Sequence, residues 1–316
     1  MSCKYVIYYF ILCNFLHNLN RMTGKIIAIH TSKGGMGKST LTAIIASYLA
    51  YVDKQRIIVF DCDPPQHSIS DLREEELATQ STLAQTYHAL STTELMQMAQ
   101  PYSSANDQAA FERYRNNRQH GVAEHYAIHA LPFSALQELD MNRVRADFDY
   151  IFLDMGGQFN AGILRALAET DILLVPFTTQ QVDVTASIQY VGAILDYVMN
   201  RQLPDYLTIR CFWNKYKFTF NRRADALEAY LSGVFRNEVM PVSFLRTRLN
   251  DADAGFDRAK MLTTIASPVL MPAGRYVRRK EDTKPAEWRE AQYLQDIVGL
   301  IQEINSLLPV SAIANR

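Results

Sequence analysis

Lys25-Ile26-Ile27-Ala28-Ile29-His30-Thr31 runs directly into Ser32-Lys33-Gly34-Gly35-Met36-Gly37-Lys38-Ser39-Thr40, and the junction between them decides how the rest of the chain is read. The first stretch is short and mostly apolar, as a buried strand is. The second is glycine-rich, and residues 38–51 then place apolar side chains at helical spacing. Strand, glycine-rich turn and helix in that order form a phosphate-binding loop. Glycines let successive backbone N–H groups curl around phosphate oxygens, and the helix N-terminus adds positive potential. Lys38 would reach the β and γ phosphates, and the Ser39 hydroxyl would ligate Mg²⁺. Gly34, Gly35, Met36, Gly37 and Thr40 complete the loop. A glycine-rich turn without a ligand is the plain alternative, and the flanking strand and helix weigh against it.

Moving outward, Arg56 to Phe60 reads as a second strand ending at Asp61, and Tyr150 to Leu153 as one ending at Asp154. Ile172 to Phe177 is a buried-type run, and Tyr206 to Trp213 ends at Asn214. Strands alternating with helical segments predict an α/β fold: a doubly wound, mostly parallel sheet of the P-loop NTPase type, which binds ligands at the carboxyl ends of its strands. Residues 71–129 are rich in Gln, Ala, Glu and Arg at helical spacing and predict a helical insertion. Residues 22–316 are read as one domain.

The chain has 316 residues, 48% of them apolar and 21% charged, the balance of a globular protein with a sizeable core. A net charge of −1 gives no global pull toward nucleic acid or membrane, so a polyanionic partner needs a local patch. Two clusters offer one: Lys215, Lys217, Arg222 and Arg223, and further on Arg275, Arg278, Arg279 and Lys280. Solvated charged loops are the plain reading of both. Four cysteines without a CxxC pair indicate neither a zinc ribbon nor a disulfide framework. His125 and His129, with His120 nearby, would share a helix face, yet no HExxH pattern accompanies them. Residues 5–16 form an apolar run too short to span a bilayer as a helix, and residues 1–21 are read as a non-native or disordered extension, with translation expected to begin at Met22.

The loop departs from the commonest P-loop by an extra lysine, Lys33, ahead of the glycines. In this it resembles the deviant Walker A loop of the ParA/MinD family of ATPases, and further matches extend the resemblance from Met22 to about Ser306. In that family the extra lysine crosses a dimer interface to the partner's phosphates, which implies the same for Lys33 and a homodimer in the ATP-bound state. Asp61-Cys62-Asp63-Pro64 resembles the DxDP motif; this implies that Asp63 positions the attacking water and Asp61 supports the Mg²⁺ shell. Phe148 to Asp154 resembles the Walker B strand, implying that Asp154 reaches Mg²⁺ through water. Asn214 stands where family members hold adenine. A carboxylate after a strand is otherwise an ordinary helix cap, and Asn214 could simply cap the next segment. The chain departs from the family at Pro64-Pro65-Gln66-His67 and at Met155-Gly156-Gly157-Gln158, where Gly156 and Gly157 still suit close approach to phosphate.

The resemblance implies an ATP hydrolase using ATP and Mg²⁺, with Lys33, Lys38 and Asp63 carrying catalysis. Among such enzymes a ParA-type partitioning ATPase is expected, binding DNA without sequence preference and stimulated by a ParB-like centromere-binding protein. It would be cytoplasmic and nucleoid-associated. A conjugation or DNA-transfer relative would use the same chemistry. A MinD-like membrane ATPase needs a basic amphipathic tail, whereas Tyr293 to Leu308 carries Asp296 and Glu303; no stable membrane association is expected.

Overall fold

The computed structural model describes residues 24–63, 66–89, 125–204, 206–234, 242–250, 264 and 285–307. The extension at residues 1–21 and the cluster from Arg275 to Lys280 lie outside them.

Among the described residues, seven strands form one sheet: β1 (Lys25–Ile29), β2 (Ile57–Cys62), β3 (Ala127–Ala130), β4 (Tyr150–Met155), β5 (Ile172–Phe177), β6 (Thr208–Tyr216) and β7 (Ser243–Asn250). Their order is β3-β2-β4-β1-β5-β6-β7, and every pairing is parallel. The helices are α1 (Lys38–Tyr51), α2 (Ser68–Ala89), the short α3 (Phe133–Leu136) and α4 (Met141–Asp147), α5 (Ala161–Glu169), α6 (Gln181–Met199), α7 (Asn221–Val234) and α8 (Pro285–Ser306).

The strand period of two explains why helices cover both faces. Ile26 and Ala28 of β1 join a core with residues of α5, α6 and α7, while Ile27 and Ile29 join another with residues of α1 and α8. Burial on both sides is why β1, β4 and β5 read as unbroken apolar runs.

Three expectations change. The helical insertion does not extend to residue 129, because Ala127–Ala130 pairs with β2 as an edge strand. His125 and His129 therefore share no helix face; His129 lies on β3 and stacks on Phe60 with ring centroids 6.2 Å apart. Asn214 lies inside β6 rather than beyond it.

The acidic side of the tail faces an edge strand. Glu303 accepts hydrogen bonds from the backbone N–H groups of Arg246 and Thr247, each at 2.7 Å, and from the Thr247 hydroxyl at 2.5 Å. Asp296 accepts from Asn250 at 2.8 Å. Donors at an open sheet edge are thereby capped by α8. No helix among the described residues is long and apolar enough to cross a membrane.

Candidate active site

Strand order brings the carboxyl ends of β1, β2 and β4 together beside the start of α1. Gly35 and Gly37 have φ of +74° and +83°, the left-handed region that a side chain would strain, so the backbone can fold into a loop there. The loop, residues 34–40, lines a cavity of about 350 Å³ together with Asp63, Gln66, Ser68 and Gly157. Every residue of the expected phosphate loop from Gly34 to Thr40 borders this cavity, as does Gly157 but not Gly156; Asn214, expected at the adenine, does not. Met36 contributes backbone only in effect, since it is 1% exposed and sits in the core.

Lys38 is buried at the first turn of α1, and its ammonium donates to the Lys33 carbonyl at 3.2 Å. Burial lowers its pKa, while the charges of Asp154 and Asp63 act the other way. Asp61 and Asp154 are paired in register across β2 and β4, and both are fully buried. Burial pushes the Asp154 carboxyl up to about 7, against the nearby Ser39 hydroxyl, and Asp61, Lys38 and Asp63 also act on it. Among the described residues, neither Asp154 oxygen nor Oδ1 of Asp61 has a partner within hydrogen-bond geometry, although the Ser39 hydroxyl lies close enough to lower the Asp154 pKa. Buried carboxylate oxygens without partners are costly unless a cation or its water shell completes them. Beside the Ser39 hydroxyl, this is a donor set that fits Mg²⁺.

Asp61 also has a structural role. Its Oδ2 accepts from the N–H groups of Ile69 and Ser70 at 3.1 and 3.0 Å, so it caps the first turn of α2. Asp63 borders the cavity and meets the loop after β4. A Cβ on Gly156 would strike the Asp63 carboxylate; one on Gly157 would lie 3.3 Å from the Ser32 carbonyl and 3.5 Å from the Lys38 ammonium. The glycine pair thus lies between the carboxylate and the ammonium, with the closer approach at Gly156.

Lys33 directly precedes the loop and is held within its own chain. Its ammonium donates to Asp183, whose other oxygen accepts from the Thr178 hydroxyl at 2.5 Å. Burial raises the pKa of Asp183, but these two hydrogen bonds and the charges of Lys33 and Lys215 bring it below the ordinary carboxylate range. Lys215, with φ of +53°, donates from its ammonium to the Gly35 carbonyl at 2.7 Å.

Asn214, expected at the adenine, has both ends of its amide engaged. It donates to the Met36 carbonyl at 2.8 Å and accepts from the Lys215 N–H at 3.0 Å, bracing the phosphate loop from β6. Lys217, Arg222 and Arg223 lie exposed at the carboxyl end of β6 and the start of α7. His30, Asp183 and Tyr190 escaped the sequence reading, because their contacts with Gly156, Lys33 and each other join segments far apart in the chain and give no local signal; Thr178 escaped with Asp183, which it holds.

A family model described as "AAA domain" matches residues 24–203, more than half of the chain. No curated protein matches it. Among solved structures, a plasmid partition protein from Borrelia burgdorferi is 16% identical, with 89% of this chain and 99% of that one covered and a TM-score of 0.47. The MinC:MinD cell division complex of Aquifex aeolicus gives 13%, 87%, 96% and 0.48. A ParA family ATPase from Chlorobium tepidum gives 13%, 87%, 98% and 0.45. With the phosphate loop, the carboxylate pair and a family match spanning both, the chain belongs to the ParA/MinD-type family of P-loop ATPases.

Proposed function

We propose that this chain hydrolyses ATP, dimerises when ATP is bound, and binds DNA without sequence preference to partition a DNA molecule in the cytoplasm. The observation that carries the proposal is the convergence of Lys38, Ser39 and Asp63 on one cavity, with Asp154 buried beside them and a second lysine, Lys33, directly before the loop.

Backbone N–H groups of residues 34–40 and the Lys38 ammonium hold the phosphates, which fixes the γ phosphorus for in-line attack. Asp63 accepts a hydrogen bond from a water and orients it toward that phosphorus; ADP leaves as the bond to its β-phosphate oxygen breaks. Ser39, Asp154 and Asp61 would hold Mg²⁺, which when bound supplies charge neutralisation on the phosphates. Lys33, released from Asp183, delivers its charge to the nucleotide of a second copy, so that pairing of two chains depends on ATP.

Exposed Lys217, Arg222 and Arg223 beside the site favour a polyanion as the partner read by that state, and a ParB-like centromere-binding protein is the stimulator proposed. The test is ATP turnover, together with binding of duplexes of unrelated sequence at rising salt. Turnover with ATP-dependent binding that weakens steeply with salt supports the proposal. ATP-loaded protein that ignores duplex DNA at low salt and sediments with anionic vesicles overturns the DNA reading in favour of a MinD-like role.

A further inference from the structure

His30 directly follows β1 and is not part of the phosphate loop, yet it is fully buried beside it. Its Nδ1 lies 2.6 Å from the Tyr190 hydroxyl, and its Nε2 lies 2.8 Å from the Gly156 carbonyl. A polar side chain buried so completely is held by its partners, and here they define where every proton sits. A carbonyl only accepts, so Nε2 carries the hydrogen and donates to Gly156. Burial keeps the ring neutral, with its pKa lowered to about 4, which leaves Nδ1 as an acceptor. Tyr190, fully protonated because burial raises its pKa well above the ordinary phenol range, donates to Nδ1. The result is a directed chain from the Tyr190 hydroxyl through the imidazole to the Gly156 carbonyl.

What the chain holds is the backbone threaded between Asp63 and Lys38. The Gly156–Gly157 peptide is planar, so turning its carbonyl toward His30 turns the Gly157 N–H away from it. Without side chains the glycine pair has no packing of its own to fix it, and many peptide orientations are open to it. A second point of support comes from the same tyrosine: Phe159, further along the loop, packs edge-on against the Tyr190 ring at 5.8 Å between centroids. Tyr190 also lies seven residues beyond Asp183 on α6, which places both on one face of that helix.

We infer that His30 and Tyr190 are positioning residues for hydrolysis: they fix the Gly156 carbonyl, and through it the glycine pair against which the Asp63 carboxylate is set. The role rests on the hydrolase reading given above. Neither residue borders the cavity. They act on the geometry of the attacking water and not on the hold on the phosphates, which belongs to residues 34–40.

Three variants of the full chain and one spectrum test this. Gln places a donor where His30 has Nε2, whereas Asn reaches only as far as Nδ1. His30→Asn should lower kcat about tenfold or more with KM for ATP within about twofold, whereas His30→Gln should stay within about threefold of wild type. Tyr190→Phe, which keeps the ring and removes one oxygen, should fall between them. Thermal melts accompany each variant, and Tyr190→Phe keeps the test decisive if a His30 variant unfolds. Side-chain ¹⁵N NMR of the nucleotide-free protein should show His30 protonated at Nε2. Equal losses in Asn and Gln, KM moving in step with kcat, wild-type kcat in Tyr190→Phe, or a hydrogen on Nδ1 in place of Nε2 would each overturn the inference. Absence of ATP turnover in the wild type would instead sink the hydrolase reading, and the imidazole spectrum would still decide the hydrogen-bonded chain.

Discussion

At the scale of single residues, the site is built from charges placed where they cost stability. Asp154 is the clearest case, a fully buried carboxylate whose burial is offset only in part by the nearby Ser39 hydroxyl and the Lys38 charge, with a pKa pushed up to about 7. Because the folded value is raised above the ordinary 3.8, the folded chain holds a proton that the unfolded chain has released between those two values. This contribution to stability is complete below about pH 4 and is lost as pH rises through 7. Asp154→Asn removes the penalty, so it should stabilise the nucleotide-free protein at pH 8 by about 1–3 kcal/mol while abolishing turnover. Melting curves of both proteins at pH 5 and pH 8 check this; the difference between them should grow with pH. Lys33 and Asp183 carry a second prediction. With the lysine about one-third exposed, the pair is worth only about 0.2–1 kcal/mol. Each dimer releases two such pairs, so Asp183→Asn should shift the ATP-dependent dimer equilibrium by a factor of about 2 to 30 toward dimer, read by light scattering at sub-saturating ATP. A shift toward monomer would mean that Asp183 serves the dimer and not the separated chain.

At the scale of elements, what the sequence made legible tracks burial. β1, β4 and β5 are covered on both faces and were readable as apolar runs, and the phosphate loop was readable because its glycines are demanded by backbone geometry. β3 and β7 were not readable. They are the two edge strands, half exposed and mixed in composition, so no unbroken apolar run marks them. Among candidate site residues, the placement of Lys38, Ser39 and Asp63 at the cavity and of Asp154 beside them was legible from local motifs. The bonds of Asn214 to the phosphate loop, and the role of His30, depend on contacts between distant segments and leave no periodic trace. Edge strand β7 also yields a prediction. Glu303 holds two backbone N–H groups and a hydroxyl of that strand, so Glu303→Ala should cost about 1–3 kcal/mol in a urea denaturation experiment. Glu303→Gln, which keeps an acceptor oxygen, should cost less.

At the scale of the whole molecule, the near-neutral net charge means that the DNA binding proposed above would need a local surface. Arg222 and Arg223 are exposed at the start of α7, away from the bonds that brace the phosphate loop. Replacing both with Gln should weaken binding of every duplex alike and reduce the slope of log K against log salt by up to about 1.8, if each arginine neutralises one phosphate. An unchanged slope would place the DNA surface elsewhere. The proposed switch depends above all on Lys33 making the pairing of two chains respond to ATP. Size-exclusion chromatography with light scattering, run with ADP and with ATP and Mg²⁺ well above nucleotide affinity, decides it. The wild type should run as a monomer with ADP and a dimer with ATP. Asp63→Ala should remain a dimer for longer, and Lys33→Gln should bind ATP yet stay monomeric. A wild type that stays monomeric with ATP, or a Lys33→Gln protein that dimerises as the wild type does, would refute the trans role of Lys33.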